Sequence, residues 1–131
     1  MSAAAARGPE VAATEELYRG ITHPSWWVAE EGRISSAAFS FPTFSVDIAS
    51  IAGSPSHTLG HLPPGSGLVA FNCGQARSLC FDARQEIDPE HPQNLAHAHV
   101  YCDLPNKQRK KKAQALVQLC KMVVIPTGPT A

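Results

Sequence analysis

The sequence predicts an α+β fold: a small mixed or antiparallel sheet of four to six strands with one long C-terminal helix and one short helix. Three observations predict it. Several short segments alternate apolar and polar residues, as in Phe44-Ser45-Val46-Asp47-Ile48. One stretch near the C-terminus carries an apolar stripe at helical spacing, Ala113, Leu116, Val117 and Cys120. The two kinds of segment interleave along 131 residues, a length that suits one domain.

The elements follow in order. Residues 1–15 hold an Ala tract, Arg7-Gly8-Pro9 and no large side chain but Val11, which predicts a disordered leader. The domain is expected over 16–126, beginning with Leu17, Tyr18 and Ile21 and then the adjacent Trp26 and Trp27. Arg33–Phe39 and Phe44–Ile51 read as strands joined by a turn at Phe41-Pro42-Thr43. From Gly53 to Gly67 four Gly, three Pro and three Ser predict a long irregular loop. Leu68–Phe71 reads as a strand, and Asn72 as the N-cap of a short helix over Cys73–Leu79. Phe81–Ile87 and Ala96–Cys102 read as strands around a polar turn at Asp88–Asn94. The long helix is expected from about Asn106 to Met122, then an edge strand at Val123–Ile125 and a loose tail over 127–131.

Composition narrows the function classes. Eleven Lys+Arg against 11 Asp+Glu give zero net charge, which excludes a generally basic nucleic-acid wrapper and a polyacidic tail. The 44% hydrophobic fraction includes 19 Ala, while Leu, Ile, Val and Phe number only 28, so the core is small. Four Cys without a secretory signal pattern read as reduced thiols and place the protein in the cytoplasm. No run of 18 apolar residues suggests a membrane span. Phosphate-loop, dinucleotide, nucleophile-elbow and His-Glu-x-x-His motifs are all missing from the sequence.

The strongest functional signal is the run Lys107, Arg109, Lys110, Lys111 and Lys112, five of the eleven basic residues, at the front of the long helix. Cations there oppose the helix dipole, whose positive end favours anions. A bound phosphate would receive both the free N–H groups and the ammonium groups; the plain alternative is a solvated face that keeps a small core soluble. Adjacent Trp26 and Trp27 cannot both be buried fully, so one is expected at the surface as a partner anchor, with His57 and His61 of the irregular loop joining it. The leading expectation is therefore a non-catalytic intracellular binding or accessory module for a phosphate-bearing ligand, nucleic acid or protein partner.

The alternative is a small enzyme. His97 and His99, two apart on a strand, project to one face and are candidates for a zinc site; no other cofactor is expected. The segment Leu17-Tyr18-Arg19-Gly20 with Ser35-Ser36 resembles the opening motifs of ADP-ribosyltransferase-type domains. That resemblance implies a nicotinamide dinucleotide held by Arg19 and supported by Ser35 or Ser36, with Glu86 the strand candidate for the downstream acid. Across most of its length the chain is also similar to small uncharacterised bacterial proteins, through Leu-Tyr-Arg (17–19), Arg-Ile-Ser-Ser-Ala-Ala-Phe (33–39), Ser-Val-Asp (45–47) and Ala-His-Ala (96–98). This second likeness implies one compact unit and no activity.

Overall fold

In the computed structural model, residues 7–127 are described; residues 1–6 of the expected leader and 128–131 of the expected tail lie outside the described residues. The fold is α+β. Strands β1 (Glu16–Ile21), β4 (Thr43–Ile48), β5 (Gly67–Asn72), β6 (Asp82–Gln85), β7 (His97–Tyr101) and β8 (Lys121–Val124) form one sheet in the order β6-β7-β4-β1-β5-β8. All its pairings are antiparallel. A two-stranded ribbon joins β2 (Trp27–Val28) to β3 (Arg33–Ile34). The helices are α1 (Ala49–Ala52), α2 (Pro55–Leu59), α3 (Cys73–Ser78) and α4 (Asn106–Leu119). None is long and apolar enough to cross a membrane.

Period-two alternation gives the sheet two unlike faces. Register places Leu17 and Ile21 of β1 with Phe44, Val46 and Ile48 of β4, Val69 and Phe71 of β5, and Ala98 and Val100 of β7 on one side. All of these are buried. Phe39 closes the core over them, its ring edge-on to Phe44 at 5.6 Å and to Phe71 at 5.8 Å. Helix α4 covers that side through Ala113 and Leu116. Each large side chain buried here is worth roughly 1.5–3 kcal/mol.

Arg19 sits within this apolar side and is buried. Its Nε and Nη2 donate to the Ala38 carbonyl at 3.1 and 2.8 Å, and its Nη1 donates to the Ser45 carbonyl at 3.1 Å. The guanidinium also lies 4.9 Å from the Trp26 ring and 4.8 Å from that of Phe44. Burial pulls its pKa down to about 10, which leaves it charged at neutral pH. These bonds fasten the 3-10 turn Ser36–Phe39 to the sheet, and α4 packs on that turn.

Three sequence expectations are corrected. Arg33–Phe39 is a strand only over Arg33–Ile34, because the Ser35 hydroxyl accepts from the Ala37 amide and starts the 3-10 turn instead. Part of the expected Gly53–Gly67 loop is helical. Ser54 caps α2 by accepting from the His57 amide, and Pro55 at the first helical position needs no hydrogen-bond partner. The expected disordered leader is also ordered from Gly8 onward. Gln85 donates to the Pro9 carbonyl at 2.8 Å, Val11 donates to the Ala83 carbonyl at 3.0 Å, and Val11 is buried. That segment covers the β6 edge of the sheet.

Helix α3 follows its expected N-cap, Asn72, whose side chain accepts from the Gln75 amide. Its C-terminus closes with Phe81 donating to the Ala76 carbonyl and Cys80 donating to that of Arg77, which requires Cys80 at φ 70°. Glycine is the residue that adopts this left-handed position without a Cβ clash. Cys80→Gly is therefore expected to stabilise the domain by about 1 kcal/mol. Urea unfolding checks it through a raised midpoint at unchanged slope.

Candidate functional site

The second side of the sheet is polar over β1, β4, β6 and β7. Tyr18 and Gly20 of β1, Ser45 and Asp47 of β4, His97, His99 and Tyr101 of β7 and Arg84 of β6 share it by register. Asp47 is buried, because α2 and the 86–96 segment lie over it. Its Oδ2 accepts from the Thr58 hydroxyl at 2.7 Å and its Oδ1 from the Asn94 side-chain amide at 2.9 Å. Since Asn94 Nδ2 donates there, its Oδ1 is an acceptor. It takes the Ala96 N–H at 3.2 Å and the Nε2 of His57 at 2.8 Å, which fixes the proton of His57 on Nε2.

His97 and His99 share one face as their spacing predicts, with ring centres 4.7 Å apart. Both engage Glu86. His97 Nδ1 lies 2.6 Å from the Glu86 carbonyl oxygen, an acceptor only, so Nδ1 carries the proton. His99 Nδ1 lies 2.7 Å from Glu86 Oε1, which also accepts from the Tyr101 hydroxyl at 2.6 Å. The Gly8 amide donates to Oε2 at 2.6 Å. Burial raises the Glu86 pKa, but hydrogen bonds from Tyr101, Gly8 and His99 outweigh it and leave the carboxyl below its ordinary value. Tyr101 is pushed up to about 12, first by burial and then by its bond to Glu86. Among the described residues, no three His, Cys, Asp or Glu side chains are arranged to hold a metal ion.

Between α2, the 86–96 segment and the polar side of the sheet lies a cavity of about 210 Å³, lined by Tyr18, Asp47, His61, Asp88, His91 and His97 among others. His61 stands at its wall with ring centres 5.1 Å from His57 and 5.0 Å from His91. Gly20 forms part of the floor. A Cβ there would come within 2.6 Å of Leu62, so glycine lets the residues after α2 close down on the strand.

The first, apolar side carries a different opening. A shallow groove of about 410 Å³ runs beside α4, between Trp26, Ser35, Ser36, Ser40, Phe41 and Lys110. Trp26 and Phe41 meet edge to face at 5.9 Å, and Phe41 is exposed. Lys107, Lys110 and Lys111 are exposed and Lys112 is half-buried. Arg109 turns inward, donating to the Ser40 and Leu104 carbonyls and to the Asn106 side chain. Helix α4 begins with no side-chain cap and no acid in its first turn.

Of the residues predicted from sequence, Lys110, Trp26, Ser35 and Ser36 meet at this groove. Trp27 lies apart, beside Pro24 and Pro63. His57 and His61 belong to the polar-side cover and line neither opening that borders a tryptophan. The guanidinium of Arg19 lies on the apolar side and the carboxylate of Glu86 on the polar side, so the two do not face one site. Sequence reasoning missed Thr58, Asn94, Asp88, His91, Tyr101 and Phe41. The His-x-His-x-Tyr alternation over 97–101 was the available signal for Tyr101; nothing local marked Thr58 or Asn94 as partners of Asp47. Compared with family models, curated proteins and solved structures, the chain matches none.

Tyr101 supplies a direct check. Its folded pKa stands above the ordinary phenol value of 10.0, so its contribution to stability is complete below pH 10 and is lost as pH rises through about 12. Glu86, held low, contributes above its ordinary value and loses that contribution as pH falls through the folded pKa. In Glu86→Gln the Tyr101 ionisation is expected to move down from about 12 without reaching 10, because burial remains. Ultraviolet titration against Tyr101→Phe isolates that phenol from Tyr18.

Proposed function

We propose that the protein is a non-catalytic module that binds single-stranded nucleic acid, with bases on the Trp26–Phe41 pair and phosphates along the exposed lysines of α4. One observation carries the reading: Lys110, Trp26, Phe41, Ser35, Ser36 and Ser40 border one open groove, although they come from three separate segments of the chain. Aromatic platforms beside cations are how proteins take unpaired strands without reading sequence, since every base has a stackable face. The groove is shallow, and an exposed ring such as Phe41 suits a splayed base better than a duplex edge.

The electrostatics support the same ligand. The chain has zero net charge, so attraction to phosphate is local to α4 rather than spread over the surface. The uncapped start of α4 leaves amide N–H groups free beside Lys107, Lys110 and Lys111. Arg109, committed to carbonyls, contributes charge and holds the helix start in place.

Fluorescence anisotropy with short oligo(dT) and oligo(rU) tests the proposal. With three or four phosphates contacted, the affinity is expected to fall with salt at a log–log slope of about −2 to −3. Lys107, Lys110 and Lys111 changed together to Glu should abolish binding, and Phe41→Ala should weaken it by about 1–3 kcal/mol. No binding at low salt, or binding indifferent to these changes, overturns the reading.

A further inference from the structure

We propose that the cavity on the polar side of the sheet is a separate binding site for a small organic cation with N–H donors, of the amidinium or guanidinium class. Its volume, about 210 Å³, corresponds to about seven waters at ~30 Å³ each, which suits a compact ligand rather than a nucleotide.

The chemistry of the wall selects the class. His97 is 5% exposed, its Nδ1–H is committed to the Glu86 carbonyl, and its Nε2 is buried with no hydrogen-bond partner. With the proton on Nδ1, the neutral ring presents at Nε2 a lone pair that only a donor can satisfy. A buried acceptor left unmet is costly, and a ligand N–H that reaches it would supply the missing bond. Two carboxylates stand on the same wall. Asp47 is buried with only the neutral donors Thr58 and Asn94, and Asp88 accepts from the Glu90 amide at 3.0 Å and lies 3.3 Å from His91 Nδ1. No lysine lines the cavity, and the one arginine of its lining, Arg19, directs its guanidinium to the other side of the sheet. The cavity therefore offers lone pairs and negative charge, which repel carboxylate or phosphate and attract a flat cation able to donate two or more N–H bonds.

The site lies across the sheet from the groove beside α4, so the two proposals fail independently. Calorimetry and thermal shift with acetamidinium and methylguanidinium chloride test it, with acetate and inorganic phosphate as the anionic arms and sodium chloride as the salt control. Both cations are expected to raise the melting temperature saturably while the anions do not. The histidine ring resonances should show the unprotonated His97 nitrogen moving upfield, as an acceptor does on meeting a donor. Asp88→Asn, at a partly exposed position, is expected to weaken binding about tenfold. His97→Asn keeps a donor toward the Glu86 carbonyl, removes the ring Nε2, and is expected to remove the saturable shift. Equal effects of cations and anions, binding unaltered in Asp88→Asn, or saturation with no change at His97 would each overturn the proposal. If His97→Asn fails to fold, the Asp88→Asn affinity and the wild-type ring shift decide.

Discussion

Asp47 is the constraint on which the polar half of the molecule depends. A carboxylate taken out of water is very costly unless hydrogen bonds replace its hydration. Its strand is fixed by the sheet, with Tyr18 and His97 as its cross-strand neighbours, so it cannot turn to solvent. The donors must come to it. Thr58 arrives on α2 and Asn94 on the segment before β7, 11 and 47 residues away in sequence. Asn94 then accepts from His57, which ties the two covering segments to each other as well as to the strand. A polar sheet side, two covers and the cavity between them all follow from satisfying one charge.

The apolar side has the converse arrangement. There the buried charge is a cation, Arg19, and its partners are backbone carbonyls that any sequence would supply. What is specific is its place between the Trp26 and Phe44 rings, which anchors the 3-10 turn under α4 and so sets the groove where Lys110 and Phe41 meet. Two buried charges of opposite sign, one on each side of the same sheet, lie beside two openings, one lined by Asp47 and Asp88 and the other by Lys110. The zero net charge of the chain conceals this separation.

Local patterns made much of the fold legible. Alternation marked β4, β6 and β7, the polar side chain of Asn72 announced α3, and the stripe through Ala113 and Leu116 announced α4. Where reading failed, one local signal had two meanings. Ser54-Pro55 serves equally as a loop breaker and as a helix start, and the long-range Thr58–Asp47 and His57–Asn94 bonds favour the helix. Val11 reads as an isolated apolar residue until the open edge of β6 is known. The basic run of α4 was visible in sequence; its proximity to Trp26 and Phe41 was not, because it depends on Arg19 holding the intervening turn. His97 and His99 sharing a face followed from spacing, whereas their common engagement of Glu86 depends on the path of the chain after β6.

The most direct test of this account is native-state hydrogen exchange on Asp47→Ala. With the carboxylate gone, Thr58 and Asn94 lose their shared acceptor while the phenylalanine core and α4 keep every contact. Amides of 54–62 and 88–96 should then lose protection together and by more than those of α4. An equal loss throughout the domain, or unchanged protection in the two covers, would contradict the claim that this one buried charge holds them to the sheet.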